Sequence, residues 1–299
     1  MAVKTRKIKK LRQCGINPPG FDRSQIKFWI YLIPIALLML WPIVFSIGNA
    51  FKPIDELFIW PPRLFPRNPG FQNFAELFAL SGRQAVPITR YLANSLVVST
   101  LIVLLSILIS VCAGYVFSKK NFKGKNLLFS VNTIALMFTP LAVAIPRYLV
   151  IVNVGLLDTF AVHILPALAM PVGLFLVKQN IDQLPDALIE AAKIDGASDY
   201  YIVSRIITPL IAPALATVAI LGFQMAWGDV MTSTTFITNE SLRTFPFYVA
   251  NIVDATNPTM VAGVAASSAG NLLILLPNLL LFVFLQSRVM NTMAHSGIK

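Results

Sequence analysis

Residues 189–198 read I-E-A-A-K-I-D-G-A-S, inside a chain that is otherwise mostly apolar. Just upstream, Pro185 and Asp186 form a helix start. Proline suits the first turn, where its missing N–H is not needed, and an acid favours the positive end of the helix dipole. Gly196 forms a stop, because glycine adopts a left-handed C-cap at little cost. The spacing therefore predicts a helix over 185–195. At 100° per residue, Asp186, Glu190 and Lys193 share one narrow face. Ala187, Leu188, Ala191, Ala192 and Ile194 make up most of the opposite arc, with Ile189 at its border and Asp195 interrupting the apolar pattern. So short a helix can neither cross a bilayer nor persist alone in water, so it must dock. Two acids and one lysine make its polar face a poor match for anionic lipid, while small alanines let a wall come close. A protein groove is the favoured partner, with Asp195 meeting a polar group there or capping local N–H groups.

The surroundings of this stretch place it beside a membrane. The chain has 299 residues, 56% of them apolar and only 12% charged. A water-soluble domain carries about a quarter charged residues, so part of this surface faces something other than water. Eight of the 24 basic residues fall within positions 1–27 (Lys4, Arg6, Lys7, Lys9, Lys10, Arg12, Arg23 and Lys27), directly before a long apolar run. That distribution points to the anionic cytoplasmic membrane face rather than to nucleic acid, despite a net charge of +11. No cleavage site closes the run, so it reads as a retained anchor and not as a signal peptide. Cys14 and Cys112, with His163 and His295, form no disulfide framework and no metal-ligand spacing.

Runs lacking Asp, Glu, Lys and Arg define six spans: 28–51, 91–118, 126–146, 159–177, 206–228 and 255–287. The expected fold is thus an all-α integral membrane protein with six transmembrane helices and both termini cytoplasmic. Seventeen of the Lys and Arg residues fall on the side of the termini and seven on the other, which fixes that orientation. The 189–198 stretch then lies in the cytoplasm between spans four and five. The organisation reads as a basic tail (1–27), a first span with an outer loop (28–90), a core of five spans (91–289) and a cytoplasmic C-terminal tail (290–299). The outer loop, rich in proline and aromatics, reads as a folded extracytoplasmic cap or an interfacial segment.

Glu190-Ala191-Ala192, Gly196 four residues on, and then Ile206 and Pro209 resemble the EAA loop of ABC importer permeases. Thr208 stands where that pattern usually has leucine. The wider loop, with A-I-P-R-Y-L (144–149), G-L-L-D-T (155–159), I-L-P-A (164–167) and the closing H-S-G-I-K, is similar to the carbohydrate importers, especially the smaller maltose-type permease subunit (binding-protein-dependent transport inner membrane component).

The resemblance implies that the loop helix couples the spans to a separate cytoplasmic ATPase. Glu190, Ala191, Ala192, Asp195, Gly196 and Ala197 would contact that ATPase or set the helix geometry, and Ile206 and Pro209 would orient span five. It also implies two ATPase subunits, a second paralogous permease, an extracytoplasmic solute-binding protein, a sugar substrate and a bacterial inner-membrane location. The chain itself has no G-x-x-x-x-G-K-[ST], so ATP and Mg would be held by the ATPase subunits and no cofactor by this one.

Polar residues in the last two spans are candidates for the substrate path: Gln224, Trp227, Asp229, Ser267, Ser268 and Asn271, with helix bridging as the alternative role. His163 reads as a helix-end or interface residue and Arg147 as a structural residue near the outer mouth. A self-powered transporter would want ionisable groups in mid-span, and an intramembrane enzyme would want paired Asp, Ser with His, or H-E-x-x-H. Neither pattern is present. A peptide, polyamine or phosphate importer remains the alternative within the same class.

Overall fold

A bilayer offers the backbone no hydrogen-bond partner, and a helix satisfies every N–H and C=O within its own segment. The computed structural model describes residues 26–82, 85–255 and 261–296, and every regular element among them is helical. The basic segment through Arg23 and the closing Gly297-Ile298-Lys299 lie outside the described residues. The elements that matter are α1 (Ile26–Phe51), α2 (Ile88–Lys119), α3 (Lys125–Ala135), α4 (Ala144–Asn153), α5 (Pro171–Asp182), α6 (Asp186–Ile194), α7 (Ala212–Trp227) and α8 (Val261–Ser296).

Among the described residues, α1, α2 and most of α8 are each long and apolar enough to cross a membrane. Two further crossings arise if bent pairs count as one each. The segment Ala161–Leu168 meets α5 at 41°, and Asp199–Leu210 meets α7 at 84°. Three of the expected continuous spans are therefore interrupted, the 159–177 run by that bend at Ala169–Met170. The 126–146 run splits into α3 and α4 around turns at 136–143, where Pro140 lacks an N–H and biases Thr139 away from helical geometry. The 206–228 run breaks at Ile211, between Pro209 and Pro213, for the same reason.

Small side chains set the packing. Ser106, Ser110 and Gly114 repeat every fourth residue along α2 and are all buried. A Cβ on Gly114 would lie 2.7 Å from Val177 Cγ1, and one on Gly173 would lie 2.8 Å from Ser110 Oγ. Both are closer than side-chain atoms approach, so α2 and α5 meet almost backbone to backbone, as membrane helices do where lipid supplies no hydrophobic drive. Helix α2 also packs on α7, and α7 on α8.

Residues 52–82 form a folded cap on α1. Asn73 Nδ2 donates to the carbonyls of Asn49, Ala50 and Lys52 at 3.1, 3.1 and 2.9 Å, partnering the otherwise orphaned carbonyls of the α1 end. Lys52 is buried and donates to Asn49 Oδ1 (2.6 Å) and to the Arg63 carbonyl. Burial pushes its pKa below the ordinary lysine range, with nearby Glu56 opposing.

Candidate functional site: a docking helix and an interrupted-helix cavity

The 189–198 stretch forms the end of α6 and its cap. Pro185 stands just before the first turn, and Gly196 takes φ +78°, a left-handed conformation that a Cβ would strain. The N–H of Gly196 donates to Lys193 O at 3.0 Å and that of Ala197 to Ala192 O at 2.9 Å. This reciprocal pair is the Schellman motif, and it ends the helix abruptly.

The apolar arc divides in two. Ile189 and Ala192, one turn apart, are buried against Ile181, Ile202 and Ile207. Ala187, Leu188, Ala191 and Ile194 stay exposed, Ile194 by 86%. The helical wheel alone set Ile189 at the margin and Ala192 in the docking arc. The physical reason for the difference is that a nine-residue helix must first bury something on its own chain. What remains facing outward is Ala187, Ala191 and Ile194, flanked by Glu190 and Asp195. Both carboxylates are exposed, and Asp195 takes no local N–H among the described residues.

Adjacent lysines at the end of α2 hold α6 at both ends. Lys119 Nζ donates to Asp186 Oδ1 at 2.6 Å and to Leu184 O at 2.8 Å. Lys120 Nζ donates to Asp199 Oδ2 at 2.7 Å, and Tyr115 OH to Asp199 Oδ1 at 2.7 Å. Lys178 pairs with Asp182 at 2.5 Å and Ser118 with the same carboxylate at 2.6 Å. Beyond Asp199 the chain winds as a π-helix over Ile202–Ile207, and Thr208 Oγ1 donates to Val203 O at 2.7 Å. The hydroxyl found where the EAA pattern has leucine thus partners a carbonyl of this looser turn. Ile206 is half-buried beside the same core, and Pro209 is exposed just before the 84° bend.

Farther along α2, three interruptions converge on a cavity of about 500 Å³. Its walls include Phe138, Pro140 and Leu141 from the 136–143 turns, Pro166, Ala169 and Pro171 from the bend before α5, and Asp229 and Met231 just past α7. Val98 and Ile102 of α2 close one side. Ile102 lies 17 positions before Lys119, roughly 26 Å along the helix at 1.5 Å per residue. Non-helical backbone at membrane depth survives only where protein buries it or where it lines a cavity.

Of the substrate-path candidates, only Asp229 reaches this cavity. Its Oδ1 accepts the Thr232 N–H at 3.1 Å and so starts the helix Met231–Phe236. Trp227 is buried, donates Nε1–H to Ile274 O at 3.1 Å and stacks on Phe223, which ties α7 to α8. Gln224 and Asn271 are exposed, and Ser267 is half-buried. Ser268 Oγ donates to Val264 O at 2.9 Å. Two residues read as structural from the sequence, Arg147 and His163, also line the cavity. His163 Nε2 lies 3.1 Å from Leu242 O. The Arg147 guanidinium sits 5.9 Å from the Phe236 ring centre, and its Nε is buried without a partner. The signal that could have found both is an ionisable side chain in an apolar run within three residues of a proline.

The wall that carries Phe236 is held from outside the bundle. Asp158, itself at φ +54°, donates its N–H to Phe236 O at 2.9 Å. Its Oδ1 accepts the N–H groups of Asn239 (2.8 Å) and Thr238 (2.9 Å). These donors, Asn239 foremost, hold its carboxyl below the usual carboxylate range.

A core of interrupted apolar helices, with a short capped helix at one end and a cavity at the other, is the build of a transport permease. The binding-protein-dependent transport system inner membrane component family matches residues 106–289, more than half of the chain, and the chain belongs to that family. It is thus a multi-pass membrane component of an ABC transporter. It is 29% identical to the galactooligosaccharides transport system permease protein GanQ of Bacillus subtilis, over 91% of this chain and 94% of that one. To the arabinooligosaccharides transport system permease protein AraQ of Halalkalibacterium halodurans it is 28% identical, over 92% of this chain and 98% of that one. These relatives are transport components and not enzymes. The fold is similar to a chain in the crystal structure of a bacterial ABC transporter involved in the import of the acidic polysaccharide alginate. That match has a TM-score of 0.69 at 21% identity and covers 90% of this chain and 99% of that one.

Proposed function

We propose that this chain is one of two permease subunits of an ATP-driven importer for a sugar or oligosaccharide, coupled to a separate ATPase through α6. The observation that carries this reading is the outward face of α6. One side of the helix is anchored in the chain's own core, and the other presents small apolar residues between Glu190 and Asp195 with nothing among the described residues covering them. A rigid, capped, small-faced helix passes on rigid-body motion, which a slack loop would not. The relatives named for galactooligosaccharide and arabinooligosaccharide transport support a sugar as cargo. Membership of a binding-protein-dependent family supports an extracytoplasmic solute-binding partner.

In this reading the broken α3–α4 stretch makes a sixth crossing, and both termini lie in the cytoplasm on the side rich in Lys and Arg. Two ATPase subunits hold ATP and Mg, and a paralogous permease completes the translocation path. Ala191→Trp places a large ring on the docking face while leaving the buried side of α6 intact. The expected result is loss of sugar uptake and of the co-purifying ATPases, with membrane insertion unchanged. Normal uptake by that variant would overturn the docking model.

A further inference from the structure

We propose that the cavity is the cargo site of this subunit and that it selects an acidic saccharide, with Arg147 receiving the carboxylate. This rests on the importer reading above and narrows its substrate class.

Three separate breaks in apolar segments border one volume: the turns at 136–143, the bend at Ala169–Met170, and the turn that follows Trp227. Discontinuous membrane helices expose backbone donors and acceptors where a cargo can use them, and that is the structural logic of a binding site at membrane depth. The volume lies within the range of about 300–1,000 Å³ typical of small-molecule sites. Its walls are largely apolar, with Phe138, Leu141, Met225 and Phe236 suited to the C–H faces of a sugar ring.

Arg147 sets the charge of the guest. Its side chain makes no hydrogen bond and no ion pair among the described residues. Its one close neighbour of note is the Phe236 ring. The acid on the cavity wall, Asp229, is engaged with the Thr232 N–H. Asp229 forms no ion pair with this half-buried guanidinium, whose buried Nε a neutral sugar would leave without a charged partner. A carboxylate removes the cost and fits the planar guanidinium fork with two parallel hydrogen bonds. The rival explanation is an acidic side chain of the second permease reaching into the cavity.

The test uses cells carrying the complete importer and a panel of uronic mono- and disaccharides, each matched with its neutral counterpart. The wild-type importer is expected to favour the uronates. Arg147→Gln is expected to lower the uronate-to-neutral selectivity about tenfold or more, acting through KM, because a charge-assisted contact is lost. Arg147→Lys is expected to keep part of that selectivity, since it retains the charge without the fork. Unchanged selectivity in Arg147→Gln, or a wild-type preference for the neutral sugars, would overturn the proposal while leaving the importer reading standing. Loss of the second permease from the purified Arg147→Gln complex, with selectivity intact, would assign the arginine to that partner instead. If no sugar of either kind enters while the ATPases still co-purify, the sugar cargo falls together with this inference.

Discussion

The lysines packed around α6 and the arginine on the cavity wall treat charge in opposite ways. Around α6 three lysines of the neighbouring helices are matched: Lys119 with Asp186, Lys120 with Asp199 and Lys178 with Asp182. Roughly 26 Å along α2, Arg147 faces a cavity with its Nε buried and unpartnered. The matched end has its geometry settled within the chain, so it can transmit displacement as a rigid piece. The Arg147 site is incomplete without a guest. Satisfied polar groups fix a conformation, whereas an unsatisfied one is available to bind.

The sharpest way to break this comparison is to put the same residue at both ends. Lys119→Met removes the donor to Leu184 O and to Asp186. The Lys119 side chain is 9% exposed and that of Asp186 76%, so the loss falls mainly on the half-buried carbonyl contact and less on the ion pair itself. A destabilisation of about 2 kcal/mol is expected, read as a lower Tm of the detergent-purified chain. Arg147→Met removes a cation that forms no ion pair among the described residues, so the cargo-free protein should become more stable, by about 1 kcal/mol. If both variants shift Tm downward, the contrast between the two ends is wrong.

A smaller effect tests the junction. Thr208→Val keeps the shape and deletes the hydroxyl that donates to Val203 O. It should cost about 1 kcal/mol and lower Tm, with faster amide exchange confined to 202–208. Exchange unchanged in that segment would mean that the π-helical turn stands without its hydrogen bond.

The least effect is a pH dependence at the cavity wall. Asp158 has a folded pKa below its unfolded value of about 3.9 because it accepts the Asn239 and Thr238 N–H groups. Its contribution is therefore complete above that unfolded value and is lost as pH falls through the lower, folded one. Amide exchange at 238 and 239, corrected for the intrinsic rate, should accelerate only in that acid window. Asp158→Asn should show the faster rate at neutral pH as well. A flat corrected rate down through the window would remove Asp158 from its clamping role.

Much of this was legible in the residues. The apolar runs located the long helices, because a segment in lipid must satisfy its backbone internally. Proline and glycine located the ends of α6, since each acts on backbone geometry where it stands. Two things were not legible. The faces of α6 could not be assigned from a helical wheel, because Ile189 and Ala192 become the buried pair only once Ile181, Ile202 and Ile207 arrive from elsewhere. Trp227, an aromatic candidate for a sugar face, has its indole N–H bonded to Ile274 O, a partner 47 residues away.

The sequence by itself determined that the chain is helical and membrane-embedded and that its one strongly amphipathic short segment ends at Gly196. Those properties depend on local hydropathy, charge and backbone freedom. Only the tertiary structure decided that three interrupted segments share one cavity and that Arg147 lines it without an ion-pair partner among the described residues. Proximity between residues as far apart as Val98 and Thr244, and the lack of an ion pair at Arg147 among the described residues, exist only once the helices have packed.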